Sequence, residues 1–161
     1  MRALLVAMSL AAAPVAAQDL PFSIAETEAC LAATPGDAGC IGASATACIE
    51  TPDGGSTVAM GSCLIREYEY WEARLAAVEP ALIEQAREMD VYLDEIDSVA
   101  GRQTPALAKM QAAWRAYRDA YCDYEASRWG GGTGIGPAMA GCLMQLTGVQ
   151  ALMRESVAEQ R

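Results

Sequence analysis

Six cysteines, Cys30, Cys40, Cys48, Cys63, Cys122 and Cys142, limit what this chain can fold into more than any other feature. An even set of thiols serves either a metal or disulfides. The intervening stretches of 9, 7, 14, 58 and 19 residues contain no C-x-x-C pair, and the sequence has no histidine to complete a zinc site. Disulfides remain, and they require an oxidising compartment. The N-terminus agrees: Arg2 is followed by an almost wholly apolar run from Ala3 to Ala13, and Val15-Ala16-Ala17 places small residues where a signal peptidase cleaves. Cleavage is expected after Ala17, leaving residues 18–161 as a single helical domain in the periplasm or outside the cell. The apolar run is shorter than the roughly 20 residues a membrane-spanning helix needs, so no membrane span is expected, and no cysteine near the cleavage point offers a lipid anchor.

Composition narrows the chemistry. Without histidine the Ser-His and Cys-His nucleophile pairs and imidazole ligation of zinc or haem are excluded, and no cofactor or metal is expected. The formal net charge of −10 becomes −11 once Arg2 leaves with the signal segment. Such a surface repels nucleic acid and anionic lipid and favours a basic protein partner.

Apolar spacing then predicts an all-α fold. From Leu64 the positions Tyr68, Trp71, Leu75, Val78, Leu82, Met89, Tyr92 and Ile96 follow in threes and fours, apart from Gln85 in one slot, as one face of a packed helix requires. Pro80 lies off that stripe and is expected to kink or split this long helix. Gly101 suits a helix end, Thr104 an N-cap and Pro105 a first helical position, so the next helix is expected from about 105 to Trp129, with Leu107, Met110, Trp114, Tyr117, Tyr121 and Tyr124 inward. A last helix, Pro137 to about Ala158, is expected to turn Met139, Cys142, Leu146, Val149, Met153 and Val157 inward. These two helices form a C-terminal αα-hairpin, and Cys122 and Cys142 face one another across it. Two short helices, Ile24 to Ala33 and Ala38 to Thr51, make up the N-terminal segment. They are too small to bury much surface and need covalent closure. Pairing Cys30 with Cys40 and Cys48 with Cys63 closes a short helix-turn-helix in each case, and a crossed pairing within those four remains open.

The block Trp114-x-x-Tyr117-Arg118-Asp119-x-x-Cys122-x-x-Glu125, the turn Gly131-Gly132-Thr133 and the later Cys142-Leu143-x-x-Leu146-Thr147 resemble the lysozyme inhibitor LprI-like N-terminal domain family. The resemblance covers roughly Cys30 to Val157. It implies an all-helical, disulfide-bonded exported domain of bacteria and, by analogy with the member that gives the family its name, inhibition of lysozyme. This chain departs from the pattern in its four-cysteine N-terminus and in carrying Gln150 where an arginine often follows the C-L-x-x-L-T block.

Several residues have two readings. Trp114, Tyr117, Tyr121 and Tyr124 read as core from their spacing, and otherwise as a sugar-stacking face. Arg118 and Asp119 point about 100° apart on a helix and are not expected to pair. Arg118 is better placed for Glu125 or a carboxylate of the long helix, as an ion pair between helices. The Gly130 to Gly136 run lacks the Lys-Ser/Thr ending of a phosphate loop and reads as a tight connection. Its exposed residues Gly130, Gly131, Gly132 and Thr133, with Trp129 as anchor, are the candidate partner-binding element. Glu84, Glu88, Asp90, Asp94, Glu95 and Asp97 read as a solvated acidic face without calcium-loop spacing. The leading expectation is an exported, non-enzymatic binding module, a lysozyme inhibitor by resemblance. A structural or envelope-maintenance protein is the alternative, and a glycan-cleaving enzyme using paired carboxylates ranks last.

Overall fold

A computed structural model describes residues 20–160, so the expected signal segment and its cleavage point lie outside the described residues. The fold is all-α: α1 (Ala25–Ala33), a 3-10 turn (Ala38–Cys40), α2 (Ala43–Ile49), α3 (Thr57–Glu95), α4 (Gln103–Ser127) and α5 (Ile135–Glu159). At 39 residues α3 is about 58 Å long, against about 37 Å for the 25-residue α4 and α5. It starts earlier than its apolar stripe, because Ser56 caps it by accepting from the Ala59 N–H at 3.1 Å. Pro80 does not split it.

The expected helix over Ala38 to Thr51 is interrupted. Gly42 adopts φ +95° and ends the 3-10 turn before α2 begins, a left-handed conformation that side-chain-bearing residues resist. α4 begins at Gln103, ahead of the expected Thr104 cap. The capping group comes from another helix: the Asp90 carboxylate of α3 accepts from the backbone N–H of Gln103 and, at 2.9 Å, of Thr104. Asp94 of the same stretch pairs with Arg102. These two acids of the expected solvated face therefore fasten the α3–α4 turn.

The core joins Trp71 and Leu75 of α3 to Met144, Ala151 and Leu152 of α5 and to Ile41 and Ala45 of the N-terminal segment. α3 and α5 share the most extensive contact among the described elements. Gly148 of α5 admits the N-terminal segment to this core: a Cβ there would lie 2.8 Å from Ile41. Three disulfides, Cys30–Cys40, Cys48–Cys63 and Cys122–Cys142, close the structure with Cα separations of 5.5, 5.8 and 5.5 Å. The crossed alternative is not the one formed.

The faces of both hairpin helices differ from the expected ones. On α4 the inward line is Trp114, Arg118, Cys122 and Ala126, while Tyr117, Tyr121 and Tyr124 face solvent. On α5 the buried positions are Ala140, Met144, Thr147, Gly148, Ala151, Leu152 and Arg154, and Met153 and Val157 of the expected face are exposed. Small residues and ion-paired arginines thus share the inward faces with Trp114, Met144 and Leu152.

Candidate partner-binding surface

The motif residues divide between an interior cluster and an outer face. Arg118 has a side chain only 12% exposed. Its guanidinium lies 5.0 Å from the ring centre of Trp114, one turn earlier, and 5.9 Å from that of Tyr68. Glu72 of α3 accepts from it, and Thr147 Oγ1 of α5 lies at 3.4 Å. Asp119 also accepts from Arg118, at 2.9 Å, contrary to the expectation from helix geometry. The long arginine side chain curls back far enough to overcome the 100° divergence. Glu125, the other expected partner, is bound to Arg128 instead. Desolvation alone would lower the Arg118 pKa, but the hydrogen bond to Asp119 and the charges around it raise it. This cluster ties α3, α4 and α5 together.

Three further arginines act in the same way. Arg74 of α3 forms a two-point pair with Glu155 of α5, at 2.8 and 2.6 Å. Arg154 of α5 and Arg115 of α4 share Glu79 of α3, at 3.3 and 2.8 Å. Desolvation lowers the pKa of Arg154. Gln150, at the position where an arginine is common, sets its amide beside Arg154, and with the oxygen assigned to that side on hydrogen-bonding grounds it accepts from Arg154 Nε at 2.9 Å.

A residue that the sequence reading missed anchors the N-terminal segment. Glu67 is fully buried on α3 and accepts from the backbone N–H of Gly42 at 2.6 Å and of Ala45 at 2.7 Å, from Thr27 Oγ1 at 3.0 Å and from the Trp71 indole N–H at 3.2 Å. Two of those donors belong to the N-terminus of α2, where the helix dipole favours negative charge. Thr27 and Ser44 exchange backbone and hydroxyl hydrogen bonds beside it, each 3.0 Å long. Its signal was present in the sequence: Glu67 falls between Leu64 and Trp71 at steps of three and four, an acid on an apolar stripe.

The outer face of the hairpin is built differently. Tyr117, Tyr121 and Tyr124 are 57%, 40% and 61% exposed, too much for the core their spacing suggested, and Trp129 is exposed beside them. Tyr117 and Tyr121 stack with ring centres 5.7 Å apart. Beyond α4 the chain turns through Gly130 at φ +56° and Gly131 at φ +86°, both glycine-favouring conformations, and Gly132 and Thr133 are exposed with them. Trp129 lies flat on Gly134, whose Cβ, if present, would come within 2.2 Å of the indole Cε3. The same ring borders a groove of about 470 Å³ between α4 and α5, lined also by Tyr121, Glu125, Pro137, Cys142 and Gln145. The charge of Glu125, with desolvation and a hydrogen bond, pushes the Tyr121 phenol pKa up. On the other side of Pro137 a second, nearly all-apolar groove of about 720 Å³ runs between the starts of α3 and α5, lined by Val58, Ile65, Ile135 and Met139 among others and reaching Thr133. Among the described residues no helix is long and apolar enough to cross a membrane, and no three His, Cys, Asp or Glu side chains group to hold a metal ion.

Comparison with known proteins fixes the family. Residues 48–152, which contain α3, α4 and the disulfide-closed hairpin turn, match the lysozyme inhibitor LprI family. The chain belongs to that family. An uncharacterised 17.7 kDa protein encoded in the puhA 5′ region of Rhodobacter capsulatus is 28% identical over 158 residues, 97% of this chain and 94% of that protein. An uncharacterised protein of Rhizobium meliloti (strain 1021) is 29% identical over 92 residues, 57% of this chain and 66% of that protein. No solved structure matches. The family match leaves out Cys30 and Cys40, so one N-terminal bridge lies wholly outside it.

Proposed function

We propose that this chain is an exported, non-enzymatic binding module of inhibitor type. Its partner is a basic protein, with lysozyme the partner that the family name supplies, and its binding surface is the outer face of the hairpin. The observation that carries this reading is the exposed line of Tyr117, Tyr121, Tyr124 and Trp129 set among the exposed acids Asp119 and Asp123 and the half-buried Glu125. Tyrosine and tryptophan give large contact area at low entropic cost and are over-represented at binding hot spots. Acidic groups beside them speed encounter with a cationic protein and weaken in salt. The Gly130 to Thr133 turn continues that face at the end of the hairpin. Three disulfides and the sequence expected of a signal segment support export.

The enzymatic alternative has less to draw on. Asp90 and Asp94, within the acidic run where a carboxylate pair was sought, are taken up by backbone N–H groups and Arg102. The test is a titration of residues 18–161 into lysozymes of several types while cell-wall lysis is followed at two ionic strengths. Stoichiometric inhibition that weakens with salt is the expected result. Absence of inhibition at low salt for every type overturns the lysozyme reading in favour of an envelope-maintenance role.

A further inference from the structure

The groove between α4 and α5 has the chemistry of a receptor for one kind of side chain. Tyr121, Glu125 and Trp129 recur every four residues and line the same groove, so a carboxylate lies between two aromatic residues. Glu125 already binds a guanidinium: Arg128 Nη1 reaches its two oxygens at 3.1 and 2.9 Å. That pair is one turn long and its arginine side chain is 60% exposed, a class of ion pair that contributes little and exchanges freely with solvent. The groove is held open by covalent and steric means. Cys122–Cys142 ties its two walls, and Gly134 lets the Trp129 ring lie at its rim.

We infer that this groove receives an arginine side chain from the basic partner, with Glu125 as its counter-ion, Tyr121 and Trp129 against its guanidinium plane, and Arg128 as the internal occupant it displaces. The inference deepens the proposed function and rests on it for the source of the arginine. Arginine is favoured over lysine because a planar guanidinium can bond a carboxylate while stacking on an aromatic ring, which a compact ammonium cannot match. The stand-in points the same way, since the group now at Glu125 is itself a guanidinium. The net charge of −10 draws a cationic partner to this chain as a whole, and Glu125 supplies a local destination for one of its side chains.

The test titrates arginine amide and lysine amide separately into the mature protein, following the Trp129 indole resonance and the backbone amides of the groove by NMR. Lysozyme binding is measured in parallel for wild type, Glu125→Gln and Arg128→Ala, with near-UV circular dichroism confirming that each variant is folded. Arginine amide is expected to shift Trp129 and to bind more tightly than lysine amide. Glu125→Gln weakens arginine amide and lysozyme by about tenfold or more, as loss of a charge-assisted pair predicts. Arg128→Ala tightens both by about two- to fivefold, the range set by an exposed ion pair. Equal binding of the two amides, an unaffected Glu125→Gln or a weakened Arg128→Ala overturns the inference. Lysozyme inhibited equally by wild type and Glu125→Gln overturns the groove and leaves the proposed function standing. Arginine amide bound at Glu125 with no lysozyme inhibited supports the groove and overturns the proposed partner.

Discussion

Two carboxylates show how differently this molecule uses the same group. Glu67, beneath the N-terminal segment, is fully buried and surrounded by four donors from α1, α2, the turn before it and α3. Glu125, on the hairpin, faces a groove beside the Tyr121 phenol and pairs with an exposed arginine from its own turn. The first is fixed because a buried charge without its donors costs several kcal/mol, and this makes it an organiser of the fold. The second lies where solvent screens it, so its partner can be exchanged. A carboxylate matters to stability where its donors are fixed in place, and to binding where they are not.

The largest effect that separates the two regions is expected from Glu67→Ala. It strips acceptors from two backbone N–H groups, a threonine and an indole, and should cost about 3–5 kcal/mol in urea unfolding. Glu125→Gln should stay within about 0.5 kcal/mol of wild type in the same assay. Similar losses from the two substitutions would break the comparison. Next comes the bridge that supports the hairpin: Cys122→Ser with Cys142→Ser should cost about 3 kcal/mol in the chain-entropy account while leaving the helical circular dichroism in place. A change below about 1 kcal/mol would mean that the arginine pairs alone hold the two helices.

Gly134→Ala sharpens the comparison from the other side. The new methyl occupies the place of the Trp129 ring, which must swing into solvent, so stability should fall by less than about 1 kcal/mol. Acrylamide quenching of the exposed tryptophan should rise and partner binding should weaken. Unchanged quenching would show that the ring does not rest on that glycine. The smallest effect concerns Asp90. Desolvation opposes ionisation there, but hydrogen bonds from Thr104 and Gln103 and the charge of Arg102 prevail, and its pKa is lowered. A carboxylate lowered on folding contributes stability above its unfolded pKa of about 3.9, and that contribution is lost as pH falls through the folded value. Amide exchange at Gln103 and Thr104 should therefore quicken as pH falls below about 4, after correction for intrinsic rates, and Asp90→Asn should remove the dependence.

Helix number and helix type were legible because apolar spacing in threes and fours persists along α3, α4 and α5. Which face points inward was not legible for the hairpin. The rule that aromatic residues go inside and arginine outside fails on α4, where Trp114 and Tyr68 receive the Arg118 guanidinium and Glu72 neutralises it. With that arginine inside, the tyrosines at 117, 121 and 124 are turned outward. On α5 the inward face carries Gly148, where a Cβ would collide with Ile41, and the fully buried Ala151, so small residues take positions that an apolar-size rule gives to larger ones. The break at Gly42 was hidden because its conformation depends on Glu67, 25 residues away. The Trp129 turn was legible because consecutive glycines after an aromatic residue constrain the chain locally. The groove beside it was not, since its second wall comes from α5.

The order of the disulfides bears on how the chain matures. Each cysteine is joined to the next one along the sequence, with separations of 10, 15 and 20 residues, and no bridge spans another. For a chain that enters an oxidising compartment N-terminus first, every thiol meets its native mate before the following pair emerges. An oxidase that links thiols in order of arrival then yields the correct connectivity without reshuffling, and the slow, error-prone search through mixed disulfides is avoided.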